Sequence, residues 1–343
     1  MNTNASKIIG KAFLLAAPLL ALLTLYIYSD PFKVVHHYYF NNYYNWQPNE
    51  INRDYISFEN LLYRLWRHQK PSDYIMGNSR SLAFHTDAWK EKSPSVTQPF
   101  HYDAASETLR GVYQKVKFID EHHLPLHNLL LVCDQSLLSK TRNDEDAVHI
   151  KHPGISSQNL FSFHTVFIKT FFSSFFCFKW IHYHLNGHVI NNYMKDVFAI
   201  VPGYITTEAY TNNYYYSVYE KKLKEDSVDY YSVFKKEEFY ARPLSEQTSP
   251  AVIGTSQTEL LEAIHEITQR NRTTMKILIS PLYDQKKIAP ADLQQLKKIF
   301  GDENVYDFSG QNFITNQVGN YYESSHYKPY IANLLMDSIY KHD

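Results

Sequence analysis

The sequence predicts an α/β protein built on a doubly wound parallel sheet, with an N-terminal transmembrane helix and an aromatic-rich, mainly helical insertion. Three observations predict this. Short apolar runs alternate with amphipathic stretches of helical period, as strands alternate with covering helices in such sheets. A long uncharged run stands near the N-terminus, and the alternation stops over residues 139–250, where composition changes sharply.

In chain order, Lys7 and Lys11 precede the uncharged residues 12–28, which end at Asp30-Pro31. With Ile8 and Ile9 this run approaches the roughly 20 residues that a bilayer requires. A cleavable signal peptide is the rival reading, but the run ends in Tyr26-Ile27-Tyr28 rather than a small-x-small site. Residues 1–30 are therefore expected to be a cytoplasmic tip and uncleaved anchor, in the membrane through residues 8–28. Lysines before the span put the N-terminus in the cytoplasm and the main domain on the outer, periplasmic side of the inner membrane. Residues 31–70, aromatic and polar, suit a juxtamembrane stalk or a first wrap around the domain, which fills 71–343. His36-His37 lacks supporting ligands and reads as a surface pair.

The body follows with a strand ending at Gly77, a short strand at 99–103 and a helix whose stripe is Leu109, Val112, Tyr113, Val116 and Ile119. A strand over 128–133 carries the uninterrupted apolar run Leu129 to Cys133, as suits a parallel strand buried on both faces. After the insertion, Ser256-x-x-Glu259 reads as a capping box opening a helix with Leu260, Leu261, Ile264 and Ile267 inside. A strand at 275–279, a helix at 292–300 stopped by Gly301, a strand at 304–308 and an amphipathic helix at 330–339 complete the fold. Charge excludes one class of function: Lys+Arg 34 against Asp+Glu 35 offers no concentrated positive surface for nucleic acid. Cys133 and Cys177 are too few for a disulfide framework, and Cys133 reads as a buried strand residue.

The chemistry concentrates in two short stretches. Ser79 follows the apolar run that stops at Gly77, at the carboxyl end of a strand, where open α/β sheets place their ligands. Far along the chain, Glu323 and His326 stand three residues apart. At that spacing a carboxylate orients one imidazole nitrogen while the other faces a serine hydroxyl from another strand. No metal-ligating template appears, because the spacings of His149 and His152, and of His182, His184 and His188, fit no tight zinc site.

Gly77-Asn78-Ser79-Arg80 and Glu323-x-x-His326-Tyr327 resemble the first and last blocks of the SGNH (GDSL-like) hydrolases, most closely the membrane-anchored, envelope-facing members. The runs ILISPLY at 277–283 and VYDFSG at 305–310 resemble the late strands of such domains. The resemblance implies a flavodoxin-like SGNH fold, Ser79 as nucleophile, His326 as general base, Glu323 as its orienting acid, and no cofactor. Second and third blocks of that superfamily usually offer a Gly and an Asn as oxyanion donors. Here those regions contain His101, Asp103 and Ser106, and Cys133, Asp134 and Gln135, so Asn78, Ser106 and Gln135 stand as substitute donors. Asp103 and Asp134 would repel an oxyanion unless protonated or turned away. Arg80 is a candidate for a substrate anion or a pair for a carboxylate, and Asp307 for the crevice lining or a turn.

The insertion holds two further features. Residues 161–180 form an apolar run in which Ser162, Thr165, Lys169 and Ser173 share one helical stripe. It reads as an amphipathic helix packed under the insertion, as one lying on the membrane surface, or as a second span. The tyrosines, among them Tyr204, Tyr210, Tyr214, Tyr215, Tyr216, Tyr219, Tyr230, Tyr231 and Tyr240, suit either a glycan-lined groove or the packing of a lid. The function expected is an envelope-anchored esterase or O-acyltransferase acting on an acylated glycan or related polymer. The alternative is an inactive SGNH-like scaffold that binds a glycan or a membrane-bound acyl-donor partner.

Overall fold

In a computed structural model that describes residues 3–36, 52–173, 176–187, 206–208 and 210–341, five apolar runs pair into one parallel sheet. The aromatic residues 37–50, His188 and Tyr204 lie outside the described residues. The strands are β1 (Asp73–Gly77), β2 (Pro99–His101), β3 (Asn128–Cys133), β4 (Thr274–Ile279) and β5 (Val305–Asp307). They stand in the order β2-β1-β3-β4-β5, the flavodoxin-like arrangement. A hairpin, β6 (Tyr321–Glu323) and β7 (His326–Tyr327), stands apart from this sheet.

Alternation along the strands divides the core in two. Tyr74, Met76, Leu129, Leu131 and Ile277 face one side, and Ile75, Leu130, Val132 and Leu278 the other. The first side is covered by α2 (Arg53–Trp66), α4 (Leu109–Glu121), α9 (Thr255–Arg270) and α10 (Pro290–Phe300). The second is covered by α3 (Thr86–Lys92) and α11 (Pro329–Ile339). Each such Leu or Ile contributes about 1.5–3 kcal/mol through the water it leaves, so the pattern that made these runs legible also stabilises the sheet.

Several local features differ from the sequence reading. Helix α9 starts at Thr255 and not at Ser256, because Gln257 Oε1 accepts from the N–H of Gly254 at 3.2 Å and so caps the helix earlier. The apolar run 161–180 is two helices, α6 (Leu160–Phe172) and α7 (Phe176–Asn186), bent by 67°. Ser162, Lys169 and Ser173 are exposed, while Phe163, Phe167 and Phe171 pack against Tyr26, Phe32, Tyr55 and Ile56. The N-terminal helix α1 runs Thr3–Ser29, with its apolar section at Leu14–Ser29. Among the described residues, no single helix is long and apolar enough to cross a membrane.

Residues 53–66, expected in a stalk or a first wrap around the domain, are a helix packed on its core. Asp54 of α2 meets Lys115 of α4 at 3.0 Å and Lys151 at 3.2 Å, and both lysines also meet Glu107, at 2.6 and 2.5 Å. Burial alone would raise the Asp54 carboxyl, but Lys151 and Lys115 outweigh it and hold it at about 2. A carboxyl depressed by folding adds stability above its unfolded value of about 4, and that stability is lost as pH falls through the folded value. The urea midpoint should therefore hold steady down to pH ~5 and fall between pH ~4 and ~2. An Asp54→Asn chain that still folds should show a shallower acid limb; an unchanged limb would contradict this.

Candidate active site

Strand order reverses at β1 and β3, and the crevice beyond their carboxyl ends is where such sheets take ligands. The residue at the end of β1 must be small: a Cβ on Gly77 would stand 2.4 Å from Val132 O and 3.0 Å from Ser81 Cβ. Beyond it the chain enters a short 3₁₀ turn, Ser79–Ala83, capped by Asn78, whose Oδ1 accepts from Arg80 N at 3.1 Å. Ser79 opens that turn, half-buried, at the switch point.

The hairpin β6–β7 packs against this turn. Glu323 Oε1 hydrogen-bonds His326 Nδ1, and Glu323 Oε2 accepts from Ser325 N at 2.7 Å. Burial would raise the Glu323 carboxyl, yet the hydrogen bond and charge of His326 hold it below the usual carboxylate range. With Nδ1 engaged, the remaining nitrogen, Nε2, is buried and has no hydrogen-bond partner. No hydrogen bond joins it to Ser79 Oγ among the described residues.

A side chain just before α8 (Ser217–Glu225), in the insertion, roofs this pair. The ring of Tyr216 lies 5.6 Å from that of His326 and 4.9 Å from that of Tyr322. Burial, reinforced by the charge of Glu323, pushes its phenol well above the ordinary range, so it stays protonated. Tyr230 OH donates to Tyr322 O at 2.8 Å, and Tyr231 OH to Tyr321 O at 2.9 Å. These tyrosines clamp the hairpin that carries Glu323 and His326, which is the packing role rather than an open groove. Tyr215 packs at a tilt against His85 instead, with ring centroids 4.7 Å apart.

The substitute oxyanion donors divide. Asn78 Nδ2 donates to Asp134 Oδ2 at 2.8 Å, and Gln135 Nε2 to Pro250 O at 2.9 Å, so both amides already have acceptors. Ser106 is exposed and adopts φ 47°, the left-handed conformation usually left to glycine. Its loop runs beside the Ser79 turn, because Ala104 N donates to Gly77 O at 3.3 Å. The N–H groups of Ser79, Ala105 and Ser106 have no acceptor among the described residues. Backbone at this left-handed residue thus stands where the sequence lacks a glycine.

The two feared carboxylates are neutralised by partners. Asp103 accepts a forked pair from Arg53, Nε at 3.0 Å and Nη2 at 2.8 Å. Burial would raise its pKa, but Arg53 keeps it low. Asp134 caps α5 (Gln135–Ser139) through Leu137 N at 2.9 Å and lies 3.5 Å from Arg80 Nε. Arg80 therefore pairs with a carboxylate, without aligned hydrogen-bond geometry at Nε. Asp307 serves its own turn, accepting from Ser309 N at 2.9 Å and pairing with Lys287 at 2.7 Å.

Sequence reasoning missed a second serine–histidine pair under the turn. His101 Nε2 and Ser81 Oγ are 3.0 Å apart, and Ser81 Oγ donates to Asn78 O at 2.8 Å. Because that hydroxyl's proton goes to Asn78 O, Nε2 carries the other proton and donates. Burial lowers the His101 pKa to about 4, so the ring is neutral and acts as a prop. Beside Arg80, the residue after Ser79, opens a cavity of about 200 Å³ whose lining includes Gln135, Ser136, Ser280, Lys286 and Ser309 together with the apolar Ile279, Leu282 and Ile288. Comparison of the chain with known family models, with curated proteins and with solved structures finds no match.

Proposed function

We propose that this chain is an SGNH-like ester hydrolase or O-acyltransferase, anchored in the inner membrane through residues 8–28, that works on the outer side on an acylated glycan or related envelope polymer. The observation that carries the reading is Glu323 holding Nδ1 of His326 on a hairpin packed against the turn that opens with Ser79. In the first step Ser79 Oγ bonds to the acyl carbonyl carbon while its proton passes to His326 Nε2. The tetrahedral oxyanion is met by N–H groups of Ser79 and of the Ala105–Ser106 loop. Its collapse breaks the bond to the leaving alcohol, which takes the proton from His326. Water or a sugar hydroxyl then attacks the acyl-serine, gives its proton to His326, and Ser79 leaves with that proton. The cavity beside Arg80, one residue from Ser79, carries hydroxyl and amide groups that suit a hydroxylated acceptor.

A second reading is favoured by one observation: Nε2 of His326 is buried and unpartnered instead of bonded to Ser79. On that reading the domain is a non-catalytic scaffold that binds a glycan or a membrane-bound acyl-donor partner. Catalytic hydrogen bonds are often loose without substrate and tighten in the complex, so rotation of Ser79 or closure of the hairpin reconciles the geometry with catalysis. The test is p-nitrophenyl acetate hydrolysis by the full chain in detergent, with and without a sugar acceptor. Turnover that disappears in Ser79→Ala supports the enzyme, and acetylated sugar among the products identifies a transferase. A folded chain no faster than its Ser79→Ala variant supports the scaffold.

A further inference from the structure

Helix α7 points back along the N-terminal helix. Phe176, at its start, stacks on Phe32, beyond the end of α1, with ring centroids 4.9 Å apart. Trp180, one turn later, packs on Leu25 inside α1. The two helices therefore run in opposite directions, and Leu185, five residues past Trp180, lies roughly 7 Å further along. That is the level of Leu20, five residues before Leu25. Leu185 is 80% exposed and Leu20 is 47% exposed, so two large apolar side chains at one level face outward.

Two independent features indicate what covers them. Residues 3–29 and 160–186 contain no Asp or Glu, whereas Lys11 and Lys169, both exposed, supply positive charge of the kind anionic headgroups attract. Polar side chains of these helices also bond back to their own helix carbonyls. Thr24 Oγ1 donates to Leu20 O at 2.8 Å, Thr170 Oγ1 to Val166 O at 2.9 Å, His184 Nδ1 pairs with Trp180 O at 2.9 Å, and Asn186 Nδ2 donates to His182 O at 2.8 Å. A surrounding without water demands that internal satisfaction.

We propose that α7 dips into the outer half of the bilayer that holds α1, with lipid acyl chains covering Leu185. This rests on the reading of α1 as a membrane anchor. The bent pair α6–α7 then acts as a second foothold, which fixes the orientation of the catalytic domain over the membrane where a single helix would leave it free to swivel.

The experiment uses the full chain in vesicles of phosphatidylcholine and phosphatidylglycerol. Leu20→Cys and Leu185→Cys chains are each labelled with an NBD fluorophore, and the unsubstituted chain, whose Cys133 and Cys177 are buried, gives the background. The proposal expects blue-shifted emission at both positions, loss of emission with nitroxide-labelled phosphatidylcholine, and little loss with aqueous cobalt. Quenching of the Leu185 label by cobalt, with the Leu20 label still lipid-quenched, overturns the proposal and leaves the anchor standing. Quenching of both by cobalt removes the anchor and the proposal together. Protection of the Leu185 label from both quenchers means that protein covers it, and also overturns the proposal.

Discussion

Glu323→Gln is expected to lower kcat for ester turnover by about 10⁴-fold with the fold intact, because an amide no longer selects the histidine tautomer that a serine base needs. Glu323 Oε1 accepts from Nδ1 of His326, which leaves Nε2 free of a proton to receive that of Ser79. A carboxamide in its place could present its NH₂ group to Nδ1 and drive the proton to Nε2. KM should change little, since the carboxylate points at the histidine and at Ser325 N. Steady-state kinetics decides the matter. A loss of less than about tenfold would mean that Glu323 holds the hairpin and not the tautomer, because triad members act as one unit.

The second large effect is on stability and lies away from the chemistry. Lys115 is wholly buried, and its Nζ lies 2.6 Å from Glu107, 3.0 Å from Asp54 and 2.9 Å from Asp103 O. Lys115→Met should destabilise the domain by about 3–5 kcal/mol, because two acids lose one of their two ammonium partners in a site that water does not reach. The Coulomb attraction of the intact cluster is not itself a gain of that size; the cost arises from charge left without compensation. The same lysine holds the backbone at Tyr102 and Asp103, just before the loop with Ala105 and Ser106. Any folded Lys115→Met chain should therefore lose turnover as well. Urea unfolding measures the first effect, and a shift below about 1 kcal/mol would show that water or Lys151 takes over the role.

Much of the sheet was legible because both its faces are buried. Residues 129–133 had to be apolar throughout, and Gly77 had to stop the first strand where Val132 O leaves no space for a Cβ. Ser79, Glu323 and His326 could be linked because chemistry, rather than packing, limits which residue types stand at those spacings. The residues that hold them were not legible. No pattern in the sequence marks Arg53, Lys115 and Lys151 as buried before the fold brings carboxylates to them, and Tyr216 is one tyrosine among many until the insertion sets it on His326. The left-handed Ser106 carries no sequence signal at all, since that conformation ordinarily announces itself as glycine. Similarly, the broad apolar face at 161–180 hid a bend that neither proline nor glycine marks.

The most direct test of an activated Ser79 is covalent labelling of the full chain by a fluorophosphonate, with the adduct located by peptide mass spectrometry. A single adduct on Ser79 is expected, absent from His326→Ala and slowed by roughly the same factor as turnover in Glu323→Gln. A correctly folded chain that resists small and large probes alike, or an adduct on any other residue, would contradict it.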